Sequence, residues 1–232
     1  SIAPTKGTWI YFAHNNAGFS IQSSCVRIQS LGTYRPTQTT PSGSGTYVPV
    51  VQGADFDIPT PSGIIHSIQL RDLMPLNPYI AIQAQGAEPH SIGSLFIQNI
   101  KGTPIKYGIN LDDVSDTCYI SDVHFWVYWY LNNGNPNIYN YTINNCSGLR
   151  FGGVDNPMIS NVFCFWCFRG IEFYNSSNVN KYASKFHITN ADMDECYYGV
   201  YVGANVVKAQ FCNLTTQGRN NTDTPNSIGI FF

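Results

Sequence analysis

The chain has 232 residues, enough for a sizeable core without a metal or disulfide staple, yet charged residues make up only 11 % of it. Twenty-three Asn stand beside 20 Gly, 15 Tyr and 14 Phe, while three Glu and six Lys leave little material for solvent-facing helices and none for coiled coils, so the composition is that of an all-β protein. A formal net charge of −2 without a basic block argues against a nucleic-acid partner held through phosphates, and no apolar run approaches the roughly 18 residues of a membrane span.

In chain order, Gly7-Thr8-Trp9-Ile10-Tyr11 and Cys25-Val26-Arg27-Ile28-Gln29-Ser30-Leu31-Gly32-Thr33 read as strands of a lead-in segment, residues 1–33. Residues 34–60 hold a Pro/Gly/Ser-rich loop, with Tyr34-Arg35-Pro36 at its start and Pro41 to Gly45 within it, and a connecting strand. From residue 61 to 232 the pattern apolar, any, apolar, any, Asx, apolar recurs at Ile68–Leu73, Leu95–Ile100, Cys118–Val123, Phe186–Ala191 and Ala209–Leu214. Another copy, ending Met158-Ile159-Ser160-Asn161-Val162, has Pro157 in its first apolar slot; an early relative carries Ser30 at the Asx position.

A second pattern, a small residue opening an alternating strand, follows at Ala81, Gly108, Gly148, Gly170 and Gly199. The step from Asx to the small residue is nine at 72 to 81, 99 to 108, 161 to 170 and 190 to 199, and one unit is about 22 or 23 residues. Each unit is too short to bury its own apolar face, so the spacing predicts a solenoid, a parallel β-helix with two or three short strands per coil. Stacked Asx side chains at one corner would form a hydrogen-bonded ladder, with coils about 4.8 Å apart.

From Asp122 to Gly148 the step is 26, so residues 124–147 bulge out as an insertion. It carries His124-Phe125-Trp126-Val127-Tyr128-Trp129-Tyr130, and within it Tyr141 to Cys146 is expected as a strand. A smaller insertion is expected near Tyr174 to Tyr182, and both termini read as cut from a longer chain. Seven cysteines include Cys164-Phe165-Trp166-Cys167, but structural zinc needs a second ligand pair and redox work a βαβ context; neither is visible, so the thiols are expected to be small buried hydrophobes. His14, His66, His90, His124 and His187 show no metal-ligand spacing, and no metal or other cofactor is expected.

The coils from Ile64 to Phe232, with the lead-in strands, resemble the pectate-lyase-like right-handed β-helix superfamily, above all bacteriophage tailspikes and their polysaccharide depolymerase relatives. The resemblance implies a right-handed coil, polysaccharide binding or cleavage, a homotrimer and a place in the virion tail. Of the polygalacturonase-type motifs the chain has Asp112-Asp113 but neither a G-H-G nor an R-x-K.

Aligning coils on the Asx residue sets Asp192-Met193-Asp194-Glu195 beside Phe163-Cys164-Phe165-Trp166, with Trp126 and Trp129 emerging one coil earlier. Aromatic rings stack on sugar C–H faces while paired carboxylates do acid and base work, so Asp192, Asp194 and Glu195 are the candidate catalytic acids. Trp126, Trp129, Phe163, Phe165 and Trp166 are the candidate glycan-binding shelf. The plain alternative is a solvated acidic turn and rings packed against the insertion or a second subunit. Asp112, Asp113 and Asp116 form a second acidic cluster beside Gly152-Gly153, expected to leave an open shelf; Ca²⁺ would find hard oxygen ligands there, but a solvated turn is the expected state.

Together with these residues, the resemblance implies a virion tailspike-like protein that contacts, and as an enzyme would cleave, bacterial surface polysaccharide, without membrane insertion. The alternatives are a secreted lyase or glycoside hydrolase, extracellular and monomeric, and a non-catalytic adhesive or structural β-helix.

Overall fold

A computed structural model of the protein describes residues 7–13, 16, 18–35, 49–87, 90–127, 136–219 and 227–232. Much of the Pro/Gly/Ser-rich loop, residues 36–48, lies outside them. The described elements, in chain order, are β1 (Thr8–Tyr11), β2 (Phe19–Ser20), β3 (Arg27–Tyr34), β4 (Phe56–Ile58), β5 (Ile65–Leu76), β6 (Ile80–Gln85), β7 (Ile92–Gly102), β8 (Tyr107–Asp112) and β9 (Cys118–Phe125). After α1 (Pro136–Asn145) come β10 (Ser147–Phe151), β11 (Pro157–Phe165), β12 (Arg169–Phe173), β13 (Ala183–Cys196), β14 (Tyr198–Val202), β15 (Val206–Gly218) and β16 (Ile228–Phe231).

Among the described residues the protein is all-β apart from α1, and the strands form two parallel eight-stranded sheets. Odd-numbered strands make one sheet and even-numbered strands the other, so the chain crosses from sheet to sheet at each step. The expected lead-in segment and connecting strand join the same stacks: β1 pairs with β3, β3 with β5 and β4 with β6. Where β3 gives way to β4, fully buried Arg35 and Asp55 pair at 2.7 Å, and Thr33 Oγ1 donates to the same carboxylate at 2.6 Å. One continuous apolar core runs between the sheets from Ile21 to Val200.

The long odd strands are bent, and the bends explain the sequence pattern. Ser30, Asp72, Asn99, Asp122, Asn161, Asn190 and Asn213 all adopt left-handed backbone, with φ between 52° and 58°. A residue in this conformation breaks the alternation of strand faces: Leu70 and Leu73 both point into the core while Arg71 and Asp72 between them face out. Asn and Asp tolerate this region better than most L-residues. A second left-handed residue precedes the first by five positions, at Cys25, Ser67, Ser94, Asn156, Lys185 and Lys208. Ahead of β9 that role falls to Asp116, six before Asp122.

The Asx side chains form the expected ladder on the solvent side, in two runs. Asn99 Nδ2 donates to Asp72 Oδ1 at 2.7 Å, across 27 residues of sequence. Asn161 donates to Asp122 at 3.0 Å, Asn190 to Asn161 at 3.3 Å and Asn213 to Asn190 at 3.0 Å, across 39, 29 and 23 residues. Each run ends on an aspartate because an ionised carboxylate accepts and cannot donate. Asn99 has committed its amide to Asp72, so it faces Asp122 acceptor to acceptor and the ladder stops between them.

The small residue opening each even strand sits where the two sheets converge. A Cβ at Gly108 would run into the Phe125 ring, at Gly148 into Cys164 Sγ, at Gly170 into Met193 Sδ and at Gly199 into Thr216. These are the inward side chains of the odd strands, and the small residue lets the next strand pass over them.

The insertion departs from the expected local structure. Tyr141 to Cys146 is not a strand: Tyr141 to Asn145 close helix α1, and Cys146 follows it. Tyr141, Ile143 and Asn145 alternate with other residues as a strand would, but the buried positions are Ile138 and Thr142, one helical turn apart, then Cys146 another turn on. Pro136 at the first helical position suits a helix start.

The ladder yields opposite expectations for two substitutions. Asn161→Ala removes two side-chain hydrogen bonds and puts Ala in left-handed backbone, and is expected to cost about 2 kcal/mol. Asp122→Asn supplies the missing donor to Asn99 while still accepting from Asn161, joining the two runs and raising stability by about 1 kcal/mol. Urea unfolding of both variants measures the pair; a destabilised Asp122→Asn would show that the break is not a donor deficit.

Candidate functional site

β11 and β13 bring the acidic and aromatic segments together in register: Phe163 lies beside Asp192, Cys164 beside Met193 and Phe165 beside Asp194. On the other side of β11, His124 of β9 pairs with Phe163 and Phe125 with Cys164, which carries Trp126 alongside Phe165. Two outward rows result, His124, Phe163, Asp192 and Trp126, Phe165, Asp194. Each leads from aromatic rings to a carboxylate, and the inward Met193 and Cys164 hold the spacing from below.

The rings form a connected surface. His124 meets Phe163 edge-on at 4.8 Å and Trp126 at 6.1 Å. Phe163 and Phe165 are parallel at 6.5 Å, and Phe165 stacks on Trp166 at 5.3 Å. Tyr139 of α1 closes the far end, edge-on to Trp166 at 6.5 Å, so the insertion helix contributes a ring that spacing alone did not place. Burial, then the charge of Lys101, hold the His124 imidazole below its usual pKa. Trp129 lies outside the described residues.

The three candidate acids have different surroundings. Glu195 and Trp166 both adopt left-handed backbone, at φ 47° and 58°, and the Trp166 indole N–H donates to Glu195 Oε2. Asp194 has one oxygen, Oδ1, shut off from solvent with no hydrogen-bond donor among the described residues. Partial burial, then the charges of Asp192 and Glu195, raise its pKa above the usual carboxylate value. Asp192 and Asp194 are alternate residues of one strand, about 6–7 Å apart along it.

Arg219, just past β15, braces this corner, and no sequence motif marks it. Its side chain reaches under the turns and donates to the carbonyls of Ile143 in α1, of Cys167 at 3.1 Å and of Glu195 at 3.1 Å. One buried guanidinium thus ties the last turn of the insertion helix to the corners carrying Trp166 and Glu195. Burial, the largest influence, holds its pKa below the ordinary arginine value.

The second acidic cluster is not the solvated turn beside an open shelf that its composition suggested. Asp112 and Asp113 are each 2 % exposed. Asp112 Oδ1 accepts from Gly153 N at 2.8 Å and Ser176 Oγ at 2.6 Å, and Oδ2 from Ser177 N at 2.9 Å and Ser177 Oγ at 2.7 Å. Asp113 accepts from Asn178 at 3.1 Å, while Asp116 stands apart and exposed, 3.4 Å from Ser94 Oγ. The shelf is filled because the loop after β12 folds over Gly152 and Gly153, where added Cβ atoms would meet Asp112, Tyr174, Ser176 and Lys181. Asp112 holds that loop down, and its four acceptor positions are occupied by protein donors, leaving none for Ca²⁺. Among the described residues no group of three or more His, Cys, Asp or Glu is placed to hold a metal ion.

The outward face of the even sheet carries its own hydrogen-bonded row. Gln83 donates to Asp57 at 3.2 Å, Asn110 to Gln83 at 3.3 Å, and Arg150 to Asn110 at 3.1 Å and to Glu172 at 3.2 Å, with Arg150 lodged between the rings of Tyr107 and Tyr174. A shallow depression of about 380 Å³ lies on the odd sheet, lined by Tyr119, Ser121, Met158, Ser160, His187 and Thr189 among others. Its lining holds no carboxylate. The aromatic rows ending at Asp192 and Asp194 bring stacked rings and carboxylates onto one face. No family model, curated protein or solved structure matches the chain.

Asp112 predicts a pH signature. Burial would raise its pKa, but the Ser176, Gly153 and Ser177 hydrogen bonds outweigh it and hold the carboxyl below its usual range. A depressed folded-state pKa stabilises the fold above the unfolded value of about 3.9, and that contribution disappears as pH falls through the folded value. Asp112→Asn is expected to cost about 3 kcal/mol at pH 7, with the difference from the parent shrinking below about pH 4. Urea titrations at pH 7 and pH 3 give the comparison; a pH-independent difference would contradict the assignment.

Proposed function

We propose that the protein is a right-handed parallel β-helix of the pectate-lyase-like kind, whose outward aromatic–acid face binds bacterial surface polysaccharide. Strands that alternate between two parallel sheets, with rungs 23 to 39 residues apart, support the coil, and the strong preference for right-handed crossovers between parallel strands supports its hand. The observation that carries the functional reading is the pair of rows, His124, Phe163, Asp192 and Trp126, Phe165, Asp194, in one register. Parallel rings offer flat C–H-stacking surfaces to successive sugar units, and the acids lie at the end of the track.

Within this reading Asp194 is the general acid. Burial and the neighbouring Asp192 and Glu195 carboxylates raise its pKa, the direction a general acid for the leaving glycosidic oxygen requires, and Asp192 is the base that activates water. A separation of about 6–7 Å sits at the lower end of the range for inverting hydrolysis. Phe163, Phe165, Trp166 and Trp126 hold the polymer, Glu195 orients Trp166, and Arg219 positions the corner. A tailspike-like homotrimer in a virion tail is the setting this proposal adopts, because a repetitive, low-charge, aromatic-faced β-helix suits adhesion to a cell-surface glycan. A binding-only adhesin is the second reading, favoured by the engagement of Glu195 with Trp166, which leaves two acids rather than three for chemistry.

The double substitution Asp192→Asn with Asp194→Asn is expected to lower release of new reducing ends from capsular or lipopolysaccharide glycans by about 10²-fold or more while leaving binding intact. Trp166→Ala is expected to weaken glycan binding about 5- to 10-fold. Turnover unchanged in the double variant would remove the hydrolase assignment; binding without turnover by the parent protein would establish the adhesin; no glycan binding by the parent would remove both.

A further inference from the structure

Beneath the aromatic corner lies a cluster of buried thiols that the polysaccharide reading does not use. Cys146, Cys164, Cys167 and Cys196 are each 2 % exposed or less, whereas Cys25 and Cys212 are exposed. Cys146 directly follows α1, and Cys167 directly follows Trp166. Although 21 residues apart in sequence, their sulfurs approach to 3.9 Å. The backbone beside them is already paired, Arg169 N donating to Cys146 O at 3.0 Å, so Cys146 and Cys167 lie just ahead of the neighbouring strands β10 and β12, one position out of register.

We propose that Cys146 and Cys167 close a disulfide when the chain folds in the presence of a low-molecular-weight disulfide such as oxidised glutathione. The bond needs the sulfurs to approach from 3.9 Å to about 2 Å, and neighbouring strands about 4.8 Å apart match the Cα separation that a disulfide spans. Cys164 and Cys196 also lie within hydrogen-bonding reach of the Cys167 thiol and are the competing partners. Cys196 Sγ donates to the carbonyls of Cys164 at 3.7 Å and Asp194 at 3.6 Å. Cys167 Sγ donates to Cys146 Sγ at 3.9 Å and also reaches the Phe165 carbonyl, at 3.9 Å.

The chemistry balances as two exchanges. The Cys167 thiolate attacks glutathione disulfide, forming a mixed disulfide and expelling one glutathione thiolate. The Cys146 thiolate then attacks the Cys167 sulfur and expels the second. Two protons and two electrons leave the protein, one S–S bond forms in it, and one glutathione disulfide becomes two glutathione thiols. The hydrogen bond to Cys146, then those to Cys164 and Cys196 and burial, push the Cys167 thiol up, so the finished fold is slow to react and the bond forms while the corner is still open.

The bond would bolt the base of the insertion helix to the turn that carries Trp166, the two elements Arg219 already bridges. Tyr139 would then be fixed over Trp166, making the end of the aromatic surface rigid. The inference stands on the thiol geometry alone and does not rest on the polysaccharide reading.

The test refolds the full chain in a glutathione redox buffer, blocks remaining thiols with iodoacetamide under denaturing conditions and maps the peptides by mass spectrometry. One disulfide is expected, joining Cys146 to Cys167, with five of the seven cysteines alkylated. Its reduction is expected to lower the melting temperature by about 6–10 °C. That shift should vanish in Cys146→Ala and Cys167→Ala and persist in Cys164→Ala and Cys196→Ala. Seven alkylated cysteines after oxidative refolding, or a bond between Cys167 and Cys164, would overturn the proposal; the map of the unmutated chain decides it even where an alanine variant fails to fold.

Discussion

Two left-handed residues, five positions apart in most long strands, set the shape of the molecule. Each reverses which side of the strand faces the core, so two bends per strand decide which side chains are buried, where the chain turns toward the other sheet and how close the sheets come. Left-handed backbone costs an ordinary L-residue about 1–2 kcal/mol, and repeating it rung after rung demands compensation. At the second bend Asn and Asp reduce the conformational cost and add cross-rung hydrogen bonds. At the first bend Ser, Lys, Cys and Asn alternate freely with no continuous ladder, and there pairing of the flanking backbone holds the conformation. One bend is written into the sequence by a side-chain interaction and the other is not.

That difference explains what could be read beforehand. The Asx ladder, the nine-residue step to a small residue and the alignment of Asp192 and Asp194 with Phe163 and Phe165 all rest on a repeated side-chain requirement, and the register carries them as expected. The first bend left no repeated residue type, so it was invisible. Helix α1 was obscured because Tyr141, Ile143 and Asn145 satisfy a period of two, whereas its burial follows Ile138, Thr142 and Cys146. Arg219 escaped because its partners are backbone carbonyls, which any sequence supplies. For the same reason C-x-x-C looked isolated: Cys146 and Cys196 reach it through coil stacking rather than through local spacing.

The acidic residues show how far composition falls short of chemistry. Asp112-Asp113 with Asp116, and Asp192 with Asp194-Glu195, look alike in sequence. In the fold Asp112 faces four donors and is stabilised as an anion, whereas Asp194 has a buried oxygen without one and two like charges beside it. Hydrogen bonds to the charged form lower a carboxyl pKa; withheld bonds and neighbouring anions raise it. The first arrangement locks a loop and is spent on structure. The second leaves a carboxyl whose pKa is raised, on a surface where the adjoining rung supplies rings. What separates them is the identity of the residues one or two coils away, at distances of 29 to 65 residues in sequence, and only the coil register brings those residues alongside.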